Sequence, residues 1–101
     1  MCLILFAINP NYEYKLILAA NRDEFFERPT ARAEFWGDEE KILAGKDLQK
    51  EGTWLGVSKR GRFAAITNFR PPQAKVCYKR SRGELTTNFL ESDDSPEDYL
   101  N

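Results

Sequence analysis

Two apolar runs at the start of this chain restrict its fold more than any other feature. Met1 to Ile8 reads Met-Cys-Leu-Ile-Leu-Phe-Ala-Ile, and Tyr14 to Ala20 reads Tyr-Lys-Leu-Ile-Leu-Ala-Ala. Both are of strand length. Asn9-Pro10-Asn11-Tyr12-Glu13 between them is a cluster of turn residues. Two short strands joined in this way pair as an antiparallel hairpin over residues 1–20. The strands are apolar on successive residues rather than alternating, which predicts a sheet covered on both faces. The one or two helices legible further on cannot cover four or five strands on both sides. The missing layer is another sheet, another helix layer or a second subunit.

A turn centred near Pro10 and Asn11 places Cys2 opposite Ala19 or Ala20. Each strand residue advances the chain by about 3.3 Å. The Cys2 thiol is therefore expected within one or two residue steps of Arg22 and Asp23. A thiol, a guanidinium and a carboxylate then meet at one end of the hairpin.

The next stretch, Asn21-Arg22-Asp23-Glu24-Phe25-Phe26-Glu27-Arg28-Pro29, forms a motif turn over residues 21–29. Its plain reading is a short solvated helix, capped by Asn21 with Glu24 reaching back and ended before Pro29. Thr30 to Gly37 reads as irregular, Ile42 to Ala44 as a short strand ended by Gly45, and Lys46 to Gly52 as a polar loop. Residues 53–68 read as a second hairpin turning at Lys59-Arg60-Gly61-Arg62. Pro71-Pro72 makes 69–79 a loop. Ser81-Arg82-Gly83-Glu84 fits a capping box for a helix over 81–91, with Leu85, Phe89 and Leu90 as its apolar stripe. Ser95-Pro96-Glu97-Asp98 starts a second helix, over 95–101, that is cut short. The expectation is one incomplete α+β domain over 1–101, a fragment of something longer.

Charge and composition exclude several functions. Fifteen basic against sixteen acidic residues leave a net charge of -1, without the cationic excess of a nucleic-acid or membrane-surface binder. No apolar run reaches the roughly 20 residues of a membrane span. The N-terminus has neither a basic n-region nor a small-residue cleavage site, so the expected location is cytoplasmic, with Cys2 and Cys77 reduced. The chain has no His. That removes Ser-His-Asp and Cys-His catalysis, and with two widely spaced cysteines no metal site is expected.

A nucleophile that needs no His remains open. Cys is small, so Met1 is a candidate for removal, and Cys2 would then carry its own base. Its α-amino group has an ordinary pKa of about 7.7–8.0. The thiolate attacks a carbonyl, the amine relays the proton, and donors hold the oxyanion. Arg22 favours the thiolate and orients an acidic substrate; Asp23 accepts from the α-ammonium. Asn68, at the end of the second hairpin, is either an oxyanion donor or a turn residue. Cys77 lies among Lys75, Lys79, Arg80 and Arg82, either in a solvated charge run or in an anion-contacting lip to which Arg82 belongs. The ordinary alternative for Cys2 is an inert cysteine among Leu and Ile.

The motifs taken together resemble the NRDE family, the family of the transport and Golgi organisation protein two. They are Cys2-Leu3-Ile4-Leu5, Asn21-Arg22-Asp23-Glu24-Phe25, Arg28-Pro29, Phe35-Trp36, Gly45-Lys46-Asp47, Gly52-Thr53-Trp54-Leu55-Gly56, Thr67-Asn68-Phe69-Arg70 and Ser81-Arg82-Gly83-Glu84-Leu85. The resemblance runs from residue 1 to about residue 90 and covers only the N-terminal part of such proteins. It implies an N-terminal-nucleophile-like fold of four layers, α, β, β and α. It also implies roles in Golgi and secretory organisation, in mitochondria and lipid metabolism, and in moving haem. A looser similarity is to bile-salt and penicillin amidases, which begin Met-Cys and carry an Arg-Asn-x-Asp segment. By that similarity Cys2, Arg22, Asp23 and Asn68 stand as catalytic candidates, although Arg22 and Asp23 are adjacent here. Arg22 and Arg82 stand as ligand-binding candidates. The expected function is hydrolysis of a linear C–N amide. The alternative is a non-catalytic carrier of an apolar anion, haem or an acyl thioester, and an incomplete domain of this kind is expected to self-associate.

Overall fold

The computed structural model describes residues 2–67 and 81–101. It is α+β, with two antiparallel sheets and two short helices. Strands β1 (Leu3–Ile8) and β2 (Leu16–Asn21) form a two-stranded sheet. Strands β3 (Thr30–Phe35), β4 (Ile42–Asp47), β5 (Leu55–Ser58) and β6 (Phe63–Ala65) form a four-stranded sheet in sequence order. Helices α1 (Gly83–Glu91) and α2 (Pro96–Leu100) follow.

The first hairpin forms, but in a different register from the one expected. Leu3 pairs with Asn21 and Ile8 with Leu16, so the turn centres on Tyr12 rather than on Pro10 and Asn11. Asn9 takes a positive φ of 52° and its N–H donates to the Lys15 carbonyl at 2.7 Å. The Asn11 side-chain carbonyl accepts from the N–H groups of Glu13 and Tyr14. Asn at both positions suits these conformations, and together they widen the loop. The pairing separates two faces. Ile4, Phe6, Leu16, Leu18 and Ala20 share one of them, and Phe6 meets the Phe63 ring with centroids 6.1 Å apart. Leu3, Leu5, Ala7, Ile17 and Ala19 share the other.

Residues 30–35 are a strand, not the irregular segment expected. A β-bulge between Ala31 and Glu34 breaks the alternation that would have marked it. Strand β4 continues through Gly45 to Asp47. An added Cβ at Gly45 would lie 3.3 Å from the Ala31 carbonyl oxygen, where the bulge brings the two backbones together. No helix forms over 21–29: Asn21 ends β2, and the segment turns through an Arg28 N–H bond to the Phe25 carbonyl. The capping chemistry lost to sheet pairing, because Asn21 is already held opposite Leu3.

The core lies between the four-stranded sheet and α1. Ile42, Ala44 and Leu90 are buried, with Trp36 and Ala64 packed against them. Trp36 Nε1 donates to the Ala44 carbonyl at 3.0 Å. Helix α1 begins one residue later than a Ser81 cap would require: Arg82 is the N-cap residue, and Ser81 Oγ accepts from Gly83 N–H. A close backbone contact seats this end of the helix on the segment before β5. A Cβ on Gly52 would stand 2.8 Å from the Gly83 carbonyl carbon, and one on Gly83 would stand 3.2 Å from Thr53 N. Gly52→Ala should therefore push α1 off the sheet and cost about 1–3 kcal/mol, read as a lower urea midpoint. At its other end α1 is held by the β5–β6 turn. Arg62 Nε donates to the Phe89 carbonyl at 3.1 Å, with the guanidinium 4.0 Å from the Phe89 ring centroid, and Arg60 donates to the Ser92 carbonyl. Ser95 caps α2, its hydroxyl accepting from Asp98 N–H.

Candidate functional site

The end of the first hairpin brings Cys2 to the 21–24 segment. Continuing the pairing beyond Leu3 and Asn21 sets Cys2 opposite Arg22, two or three residues beyond Ala20 or Ala19, the partners expected from sequence. The Asp23 backbone N–H donates to Cys2 Sγ at 3.3 Å. The thiol is free and half-buried. By strand alternation Cys2 and Arg22 belong to the Ile4–Phe6 face, which is the face that meets the four-stranded sheet.

The Arg22 guanidinium is engaged. It donates to Glu24 Oε2 at 3.3 Å, and about a quarter of the side chain is exposed. The other Glu24 oxygen accepts from Phe25 N–H. Arg22 also lines an open cleft of about 160 Å³ with Thr30, Ala31, Gly45, Lys46, Asp47, Thr53 and Trp54. The cleft therefore joins the hairpin segment to β3, β4 and the residues just before β5, and its lining mixes two cations, a carboxylate, two hydroxyls and an indole. That lining suits a ligand with an anionic group and an apolar body.

Asp47 organises the wall of this cleft. It is 8% exposed. Its Oδ2 accepts from Arg28 Nη2 at 2.5 Å and Arg28 Nε at 3.1 Å. Its Oδ1 accepts from the N–H groups of Gln49 and Lys50. Burial pushes this carboxyl's pKa up. The Arg28 hydrogen bonds, the Gln49 N–H, the Arg28 charge and the Lys50 N–H together outweigh that and hold it below the ordinary value. The Arg28 pKa is raised by the same bond, which outweighs its partial burial. One carboxylate thus ties Arg28-Pro29 to the loop over 48–52, and Leu48 N–H donates to the Pro29 carbonyl.

The expected site residues are distributed unevenly. Cys2, Arg22 and Asp23 converge, and the contact to the sulfur comes from the Asp23 backbone. Arg82 is exposed at the start of α1, on another element. Asn68 and Cys77 lie outside the described residues. The sequence reading missed the structural role of Asp47. The signal was an Asp opening a polar loop, the usual side-chain acceptor for the N–H groups two and three residues on. No three His, Cys, Asp or Glu side chains gather as a metal site among the described residues. No helix of the described residues is long and apolar enough to cross a membrane.

The sequence pattern of the family described as Transport and Golgi organisation 2 matches residues 1–101. The human Transport and Golgi organization protein 2 homolog is 50% identical over 99% of this chain and 38% of its own length. The mouse Transport and Golgi organization 2 homolog is 46% identical over the same shares. The Drosophila melanogaster Transport and Golgi organization protein 2 is 34% identical over the whole of this chain and 38% of its own length. The chain spans about two fifths of the length of these relatives.

Proposed function

This chain belongs to the Transport and Golgi organisation 2 family, and we propose that its first hairpin carries the nucleophile of an N-terminal-nucleophile-type hydrolase acting on a linear C–N amide. The observation that carries this reading is the Asp23 N–H bonded to Cys2 Sγ at 3.3 Å. It holds a half-buried thiol at the end of a strand, beside the residue that lines the cleft. In this reading Met1 is removed and the Cys2 α-amino group takes the thiol proton. The thiolate adds to the amide carbonyl, the C–N bond breaks, and the α-ammonium returns the proton to the leaving amine. Water then hydrolyses the thioester, releasing the acid and restoring the thiol. Arg22 and Lys46 attract the anionic end of the substrate, and Trp54 packs its apolar part. The frame is the αββα sandwich implied by the family motifs, and parts of the longer relatives beyond this chain contribute the remaining oxyanion donors.

The test is amine release from a panel of N-acyl amides, using this chain and its full-length human relative. Cys2→Ala should lower turnover at least about a thousandfold while leaving the melting temperature unchanged. Undiminished turnover in Cys2→Ala would remove the nucleophile. A second reading has its own observation: Phe25 is 70% exposed and Phe26 fully exposed, directly after Arg22 and Glu24. They suit a carrier of an apolar anion, haem or an acyl thioester, serving Golgi or mitochondrial homeostasis from the cytoplasm. Binding that survives Cys2→Ala and weakens about tenfold in Arg22→Ala would favour the carrier.

A further inference from the structure

The charges around the cleft do not balance. Arg22 is paired with Glu24 at 3.3 Å. Asp47 is paired with Arg28. Each pair is neutral as a unit. Lys46 is the exception. It is half-buried, and its ammonium lies 5.4 Å from the Trp36 ring centroid. Among the described residues no carboxylate pairs with it. The cleft and the groups bonded to its lining therefore carry one uncompensated positive charge. Partial burial strengthens the pull of that charge on an anion, because water screens it less.

The remaining polar atoms favour an acceptor as the occupant. Asp47 takes two N–H bonds on each oxygen, which fills the four acceptor positions of a carboxylate. The Thr53 hydroxyl is spent on the Leu55 backbone. What faces a ligand is the Lys46 ammonium, with three donors, and the exposed Thr30 hydroxyl. The cleft's volume of about 160 Å³ is well below the roughly 300–1,000 Å³ of a drug-sized site. It admits a head group and a few carbons rather than the body of a large ligand. A single spare charge matches a carboxylate. A phosphate group, at about -1.5 to -2 near pH 7, exceeds it.

We propose that this cleft is a selective site for one small carboxylate, anchored by Lys46, with the adjoining carbons on Trp54. Taken with the hydrolase reading, on which this rests, the site names the substrate class: an amide that carries a single carboxylate close to its scissile bond. Arg22 limits the distance, because it stands opposite Cys2 and also lines the cleft. Glu24 is a resident competitor. Its carboxylate occupies the Arg22 guanidinium, and a ligand carboxylate that reaches Arg22 has to displace it.

The test is titration of this chain with butanoate, butanamide and inorganic phosphate at constant ionic strength, followed by backbone amide NMR shifts. Butanoate should bind in the millimolar range or tighter, and at least about tenfold more tightly than the neutral amide or phosphate. Lys46→Met keeps a side chain of similar length beside Trp36 and should weaken butanoate at least about tenfold. Glu24→Gln should tighten it about threefold. The comparison of acid with amide uses the unsubstituted chain, so it decides the matter even if Lys46→Met does not fold. Equal affinity for butanoate and butanamide would overturn the proposal. So would tighter binding of phosphate, undiminished binding in a folded Lys46→Met, or weaker binding in Glu24→Gln. Failure of the nucleophile is a separate result: amide turnover that survives Cys2→Ala removes the hydrolase reading and leaves carboxylate binding in place.

Discussion

Asp47→Ala is expected to destabilise the fold by about 3 kcal/mol, seen as a lower urea midpoint with an unchanged slope. The substitution leaves the Arg28 guanidinium without its carboxylate and frees the Gln49 and Lys50 N–H groups that Oδ1 accepts. The figure sits at the lower end of the range for a broken buried pair because about a quarter of Arg28 is exposed. Asp47→Asn keeps an acceptor for the two N–H groups and should cost about half as much. The same pair sets an acid limb. The folded carboxyl has a lowered pKa, so its contribution is fully present above the unfolded value of about 3.9 and is lost as pH falls through the folded value below it. Between about pH 5 and 2, Asp47→Ala should lose less stability than the parent chain. Parallel acid limbs would show that the pair contributes nothing.

Leu90→Ala should cost about 3 kcal/mol, as expected for a large buried aliphatic side chain cut back in a core. Leu90 is 2% exposed and packs with Ile42 and Ala44. A more specific expectation follows from Gly56 in β5. An added Cβ there would stand 2.8 Å from Leu90 Cδ1 and 3.0 Å from Ala44 Cβ. Gly56→Ala alone should therefore cost about 1–3 kcal/mol by overpacking. In the Leu90→Ala background the new methyl enters the space that Leu90 has left. The double variant should be more stable than the sum of the two losses by about 1 kcal/mol or more. Additive losses in a urea double-mutant cycle would show that Gly56 is required for some reason other than the α1 contact.

The second hairpin was legible because its signals are local. Gly61, with φ 83°, turns the chain where Lys59-Arg60-Gly61-Arg62 predicts a turn, and Leu55, Gly56 and Val57 then pair with Ala65, Ala64 and Phe63. The start of α2 was legible for the same reason, since Ser95 and Pro96 carry their own capping chemistry. The 30–35 strand was not, because a bulge erased its alternation. The Asn21 cap failed because a pairing between distant strands overrode a local preference. Arg28 and Asp47 lie nineteen residues apart, and nothing in their immediate sequence announces that they meet.

By itself, then, the sequence determined the hairpins, the apolar character of both faces of the first one, and the family. Its motifs also brought Cys2 and Arg22-Asp23 to one end of that hairpin. Only the tertiary structure decided the register that sets Cys2 opposite Arg22, the Asp47 bond that holds the cleft wall, and the Gly52–Gly83 contact that seats α1. Alternation, turns and caps depend on neighbours a few residues apart. Register, ion pairing and helix seating depend on groups that meet only when the chain closes on itself.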